Sequence, residues 1–154
     1  MRRRTVLAVP ALLLAAGCGL GEALADYPTV PVEVSAADLV GVWAGHESSA
    51  RYDLRADGTF TATGVPVVQL GPLDERTGRV GPFHGHGRWR LGTTPQSPPA
   101  TAREAVLDFD ELLDADDSRV ERLGVVHLNA ATPTESPDHV LILTTTHDWF
   151  QRLP

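Results

Sequence analysis

The chain has 154 residues and a formal net charge of −7, and all 13 of its lysine-or-arginine positions are arginine. Three of these are Arg2, Arg3 and Arg4, so the rest of the chain has a net charge of about −10, which argues against a nucleic-acid-binding protein because such proteins need a basic face. The length fits one domain, and 12 prolines with 14 glycines indicate a loop-rich chain rather than a helix bundle.

The beginning of the chain has the pattern of an export signal. Arg2–Arg4 precede an apolar run, Val6–Ala16, that is too short to span a bilayer. The tetrad Ala15-Ala16-Gly17-Cys18 resembles a bacterial lipobox, whose cysteine is acylated and becomes the new N-terminus. We therefore predict a lipoprotein signal peptide at residues 1–17 and an anchor on the outer face of the cell membrane. An ordinary secretory signal cut near residues 23–25 is the alternative, and Sec and twin-arginine export both stay open.

Cys18 is the only cysteine of the chain. If it carries lipid, no thiol is left for a disulfide, a metal site or redox chemistry, and packing alone must hold the fold. Two acyl chains would anchor the protein stably. Residues 18–37 contain Pro28 and Pro31 and show no clear period, so we predict an acylated cysteine and a flexible tether there, followed by the folded domain at 38–154.

The folded domain is expected to begin with a helical turn and a strand. Ser35 and Asp38 have the spacing of a capping box around one turn of helix. The first strand is predicted at Leu39–Gly45, where Gly41 lies on the same face as Trp43 and leaves room beside the indole.

A hairpin is the strongest local pattern of the chain. Apolar and charged residues alternate in Arg51–Arg55 and again in Thr59–Thr63, as in half-buried strands. Between them, Asp57 and Gly58 provide a residue suited to a turn and a glycine able to adopt positive φ. A long loop, Gly64–Pro82, follows, with at most a short strand at Val65–Leu70.

The second half of the chain continues the strand pattern. In His84–Leu91 the glycines share a face with Trp89, as Gly41 does with Trp43, so the two indoles are expected to meet one core. After a proline-rich loop at Thr93–Thr101, strands are predicted at Ala102–Phe109, Val120–Asn129, His139–Thr146 and Trp149–Leu153. The fold predicted is all-β, an antiparallel up-and-down meander of about eight strands closing into a small barrel.

Two resemblances follow from these segments. Leu39-Val40-Gly41-Val42-Trp43 after a capped turn resembles the lipocalin-like, or calycin, barrels. Together with the lipobox, Leu54–Ala62 and Gly85–Leu91, it also resembles small lipoproteins of uncharacterised function that are common in high-GC actinobacteria. Arg152 is the candidate for the late arginine that lipocalins pack under their first tryptophan. These resemblances imply a fold and a location, and they imply no activity.

Few residues suggest chemistry. His84 and His86 share a strand face, and a third metal ligand could come from His46, His127, His139 or His147. An exposed loop edge is the favoured interpretation of the pair. The acidic segment Asp108–Asp117 matches only the first positions of a calcium loop, through Asp114, Asp116 and Ser118, so we interpret it as a solvated acidic turn.

The leading functional hypothesis is therefore a non-enzymatic, membrane-anchored module that binds a small apolar ligand or an envelope component. Trp43, Tyr52, Phe60 and Trp89 are the candidates to line a ligand cavity, or simply to fill the core. A protein-interaction or inhibitor-like module using the loops Gly64–Pro82 and Thr93–Thr101 is the second hypothesis. A metal-dependent enzyme using His84 and His86 is the third. The sequence contains no glycine-flanked nucleophilic serine or phosphate-binding loop, and we expect no cofactor.

Overall fold

A computed structural model describes residues 28–70, 81–92, 99–121, 124–134, 140–146 and 148–154. The strands are β1 (Thr29–Pro31), β2 (Gly41–Gly45), β3 (Arg51–Leu54), β4 (Thr59–Val65), β5 (Phe83–Leu91), β6 (Glu104–Leu113), β7 (Val125–Pro133), β8 (Ile142–Thr144) and β9 (Trp149–Arg152). An α-helical turn, α1 (Ala36–Leu39), precedes β2, and a 3-10 helix spans Val67–Gln69.

Strands β2 to β9 form a closed antiparallel barrel. Each strand pairs with the next along the chain, and β9 returns to pair with β2, so that no edge of this ring is left open. The extra strand β1 pairs with β7. The predicted all-β barrel of about eight strands is thereby confirmed.

The predicted helical turn is also present. The backbone N–H and the hydroxyl of Ser35 donate to the Asp38 carboxylate at 2.8 and 2.7 Å. These hydrogen bonds lower the pKa of Asp38. The turn ends at Leu39, which is fully buried, so β2 begins two residues later than predicted, at Gly41.

The predicted hairpin joins β3 and β4. Gly58 has φ +79°, and the Asp57 carboxylate accepts hydrogen bonds from the backbone N–H and the hydroxyl of Thr59, which lower its pKa. The segment Val65–Leu70 was predicted to hold at most a short strand, and the structure has none there beyond the end of β4 at Val65, because Pro66 cannot donate to a ladder and a 3-10 helix follows it.

The later strands differ from the prediction in their limits. β6 reaches Leu113, so the first half of the segment interpreted as an acidic turn is strand. A β-bulge allows this, because the pairing shifts from Gly87 with Phe109 to His86 with Glu111 and leaves Asp110 as the extra residue. β7 begins at Val125 rather than Val120, and β8 is only three residues long.

Strand β1 lies in the segment predicted as a flexible tether. Thr29 pairs with Pro133, the Val32 N–H donates to the Ala130 carbonyl at 3.0 Å, and Val34 is buried in the core. The tether prediction is therefore wrong from Thr29 onward, because β1 pairs with β7 and the side chains of Val32 and Val34 pack on the core. Residues 18–27 lie outside the described residues.

The two ends of the barrel differ. We call the end with α1 and the turn at residues 55–58 the base, and the end with the loop at residues 46–50, the 3-10 helix and the turn at residues 145–148 the far end. Strand β2 runs from the base to the far end, and the strands after it alternate in direction.

The interior is filled by the inward-facing side chains of all eight strands. The rings of Tyr52 and Phe150 meet edge to face at 5.3 Å between centroids, and those of Phe60 and Phe109 at 4.9 Å. Gly87 lies between Phe60 and Phe109 in the pairing, where β5 and β6 approach closely.

Candidate functional site

The four residues predicted to line a cavity or fill the core lie in one buried cluster: Trp43, Tyr52, Phe60 and Trp89. Both indole N–H groups donate to backbone oxygens of the base, from Trp43 to Leu39 at 2.8 Å and from Trp89 to Arg55 at 2.9 Å. The two tryptophans therefore meet the same core, as expected, and their hydrogen bonds connect this core to the backbone of the base.

Arg152 completes the base. It lies opposite Trp43 in the pairing of β2 with β9, and its guanidinium donates to the Val40 carbonyl. A Cβ on Gly41 would stand 2.7 Å from the Arg152 Nε, and Gly41 has φ +143°, so both the space and the backbone require glycine. Gly41, the glycine of the first Gly-x-Trp pattern, thus makes room for the side chain of Arg152.

A buried polar pair marks the far end. The Tyr52 hydroxyl donates to Oε1 of Gln69 at 2.8 Å, and Gln69 is only 8% exposed. Its Nε2 is buried and has no hydrogen-bond partner in the described part of the chain. Burial raises the pKa of Tyr52, and the nearby Asp148 carboxylate raises it further, so the hydroxyl stays protonated.

Sequence analysis did not single out Gln69. The one available signal was a single polar residue within the apolar run Val65–Leu70. In the structure Val65 and Leu70 of this run are buried, and Gln69 is buried with them, whereas its neighbour Val68 is half exposed.

Asp148 is a second buried polar residue at the far end. Its carboxylate accepts hydrogen bonds from the backbone N–H groups of Glu47 at 3.0 Å and of Trp149 at 2.8 Å, and from the Ser48 hydroxyl. Asp148 thereby joins the loop at residues 46–50 to the turn at residues 145–148, next to the Tyr52–Gln69 pair. Its role is structural.

Replacing Asp148 with alanine is expected to lower the free energy of unfolding by about 2–4 kcal/mol, because hydrogen bonds to a charged group contribute about 1.5–3 kcal/mol each and are not additive. Urea unfolding followed by tryptophan fluorescence measures the loss. Asp116→Ala, at an exposed carboxylate, is the matched control and should change stability little. Equal stability of the two variants would contradict the structural role.

The two candidate metal ligands of β5 each face a carboxylate on the outer wall. Nε2 of His84 lies 3.1 Å from the Asp117 carboxylate, and Nδ1 of His86 lies 3.8 Å from that of Glu111. Within the described ranges, no group of three or more metal-ligating side chains converges. The described residues thus offer no third ligand to this pair.

The remaining histidines are spread over other parts of the barrel. His46 stacks on Trp149 with 4.3 Å between ring centroids, and Nδ1 of His127 lies 3.2 Å from the Glu104 carboxylate. His139 and His147 lie outside the described residues. His46 is at the far end, and His127 lies opposite Val106 in the pairing of β7 with β6. Neither imidazole lies beside His84 and His86.

The carboxylate at the start of the acidic turn is directed at backbone. Oδ1 of Asp114 accepts hydrogen bonds from the N–H groups of Asp116 at 3.0 Å and of Ser118 at 2.9 Å. Asp117 adopts a left-handed backbone with φ 60°. The residues that match the start of a calcium loop therefore stabilise a tight turn.

Other predictions fall on parts of the chain that are not described. Cys18 and the predicted signal peptide, residues 1–17, lie there, as do residues 71–80 and 93–98 of the two predicted long loops. Across the described stretches, no helix is both long and apolar enough to span a bilayer. Comparisons of the chain with models of protein families, with curated proteins and with solved structures found no match. Any functional assignment therefore depends on the geometry of the barrel itself.

Proposed function

We propose that the protein is a lipocalin-like, non-enzymatic binding module that holds a small, mostly apolar molecule at the far end of its barrel. A lipid on Cys18 would keep it on the outer face of the cell membrane. The observation that carries this proposal is the buried amide nitrogen of Gln69 beside Tyr52, which has no hydrogen-bond partner among the residues that the structure describes.

An unpaired buried polar group is expensive. Leaving one unsatisfied costs about 1–3 kcal/mol, and the large majority of such groups in folded proteins have a partner. A ligand that accepts a hydrogen bond from Gln69 would remove this cost, so the free energy of binding would include its recovery. An eight-stranded barrel is just wide enough to be filled by side chains or to hold one small ligand.

The base supports the lipocalin-like assignment. Gly41, Trp43 and Arg152 form one packed unit after a capped helical turn, which is the arrangement that the resemblance implies. The export pattern of residues 1–17 and the lipobox ending at Cys18 support the location. Packed tryptophans at the base and a polar pair at the far end also favour the far end as the binding end.

Native mass spectrometry of the protein purified from its own cells tests the proposal. We expect the barrel to carry a small organic molecule, and we expect Cys18→Ser to lose the acyl mass and the membrane association. A bare polypeptide would contradict ligand binding. A bound protein would instead favour the interaction module, and a bound metal ion the metal-dependent enzyme.

A further inference from the structure

The Gln69 site, which we define as Gln69 and Tyr52 with the buried apolar residues Val65, Leu70 and Phe150, restricts the chemistry of what can bind there. From its hydrogen bonds, burial and charge we infer that the site takes an uncharged, mostly apolar molecule and holds one accepting oxygen of it, such as an ester or amide carbonyl, on Nε2 of Gln69. This inference rests on the proposed function and adds the class of ligand.

The first step is the orientation of the amide. Tyr52 donates its only hydroxyl proton to Oε1 of Gln69, and both protons of Nε2 are left without an acceptor among the described residues. Rotating the amide by a half-turn would leave two groups unpaired instead of one, the carbonyl oxygen and the Tyr52 proton. The hydrogen bond from Tyr52 therefore sets Gln69 as a donor, and its complement is an acceptor.

The second step is the apolar surroundings. Tyr52 and Phe150 are fully buried and in contact, and Val65 and Leu70 are at most 3% exposed. Nε2 itself is shielded from solvent. An occupant must therefore displace apolar side chains rather than water, which favours a molecule whose surface is apolar apart from its accepting oxygen.

The third step is charge. The Asp148 carboxylate, which joins the two loops of the far end, adds to burial in raising the pKa of Tyr52. Glu47 is exposed at the same end. Arg51, the first basic residue after Glu47 in the sequence, is exposed on the outer wall at the start of β3. A ligand carboxylate would be desolvated next to a negative charge, so a neutral acceptor is preferred to an anion.

The test compares three probes that share one alkyl chain: methyl laurate, laurate and dodecane. The full chain carrying Cys18→Ser is used, so that no acyl group of its own competes. We expect methyl laurate to bind and to shift the side-chain amide signals of Gln69 in ¹⁵N NMR spectra. Laurate at neutral pH and dodecane should each bind about tenfold more weakly, because laurate is negatively charged and dodecane has no hydrogen-bond acceptor.

Variants connect the effect to the amide. Gln69→Met should lower the affinity for methyl laurate about tenfold and leave that for dodecane unchanged. Gln151→Met, the same substitution at an exposed glutamine of β9, is the matched control and should bind both probes as the parent chain does. If Gln69→Met does not fold, the shift of the Gln69 amide signals in the parent chain still tests whether methyl laurate binds at this amide.

The outcomes separate the two proposals. Tightest binding of laurate, or binding of methyl laurate with unmoved Gln69 signals, overturns the neutral-acceptor inference and leaves a ligand-binding barrel. A charged molecule found on the native protein would likewise overturn the neutral-acceptor inference and leave a ligand-binding barrel. Failure of all three probes, together with an empty native protein, overturns both the inference and the proposed function.

Discussion

Gly87→Ala is expected to prevent the barrel from folding. A Cβ on this residue of β5 would overlap the backbone carbonyl oxygen of Asp108 and lie 2.8 Å from the Cα of Phe109. Both obstacles are backbone of β6, which can move only if the pairing of β5 with β6 breaks. We expect a loss of more than about 4 kcal/mol, which is a large fraction of the free energy of unfolding of about 5–15 kcal/mol that an ordinary domain has.

Circular dichroism and tryptophan fluorescence of Gly87→Ala measure this effect, together with the yield of soluble protein. Gly58→Asn is the control, because asparagine tolerates a positive φ and the nearest atom to a Cβ there is the Trp89 oxygen at 3.6 Å. The control should change stability by less than about 1 kcal/mol. A folded Gly87→Ala variant with the unfolding midpoint of the parent chain would contradict this prediction, because the backbone of β6 would then be able to move away from the added Cβ.

The second large effect is expected at the base. Trp43→Ala should lower the free energy of unfolding by about 3–5 kcal/mol, because a fully buried tryptophan leaves a cavity and the Leu39 carbonyl loses its donor. Urea unfolding followed by circular dichroism measures the loss, and Trp43→Phe provides a milder variant in case the alanine variant does not fold.

Trp149→Ala is the matched control for this change. Trp149 is half-buried on the outer wall, where it stacks on His46 and its indole N–H has no partner in the described part of the chain. We expect less than half the loss seen for Trp43→Ala. Similar losses for the two variants would mean that the indole at the base is not the anchor of the core.

Sequence alone predicted the parts of the fold that depend on local pattern. The alternation in β3 and β4 places Tyr52 and Phe60 inward because one face of each strand is buried, and the Asp57-Gly58 turn is determined by backbone preference. The capped turn before β2 follows from Ser35 and Asp38 for the same reason.

The site depends on contacts that no local pattern contains. Tyr52 and Gln69 are 17 residues apart, and Ser48 and Asp148 are 100 residues apart. The length of β6 was mispredicted for a related reason, since an acidic strand such as residues 108–111 is stable only when a bulge and a neighbouring strand present its carboxylates to solvent.

Strand β1 also determines where a lipid tether would join the domain. It pairs with residues 131–133 at the end of β7, which is the base, and Thr134 donates to the Pro28 carbonyl. With lipid on Cys18, nine residues lie between the acylated cysteine and Pro28, and the ten steps along the chain, at about 3.3–3.6 Å each, reach no further than about 35 Å. Such a tether would join the domain at the base, beside α1 and Arg152, whereas Gln69 lies at the opposite end, so a ligand that enters at the far end would approach the barrel from the side away from the tether.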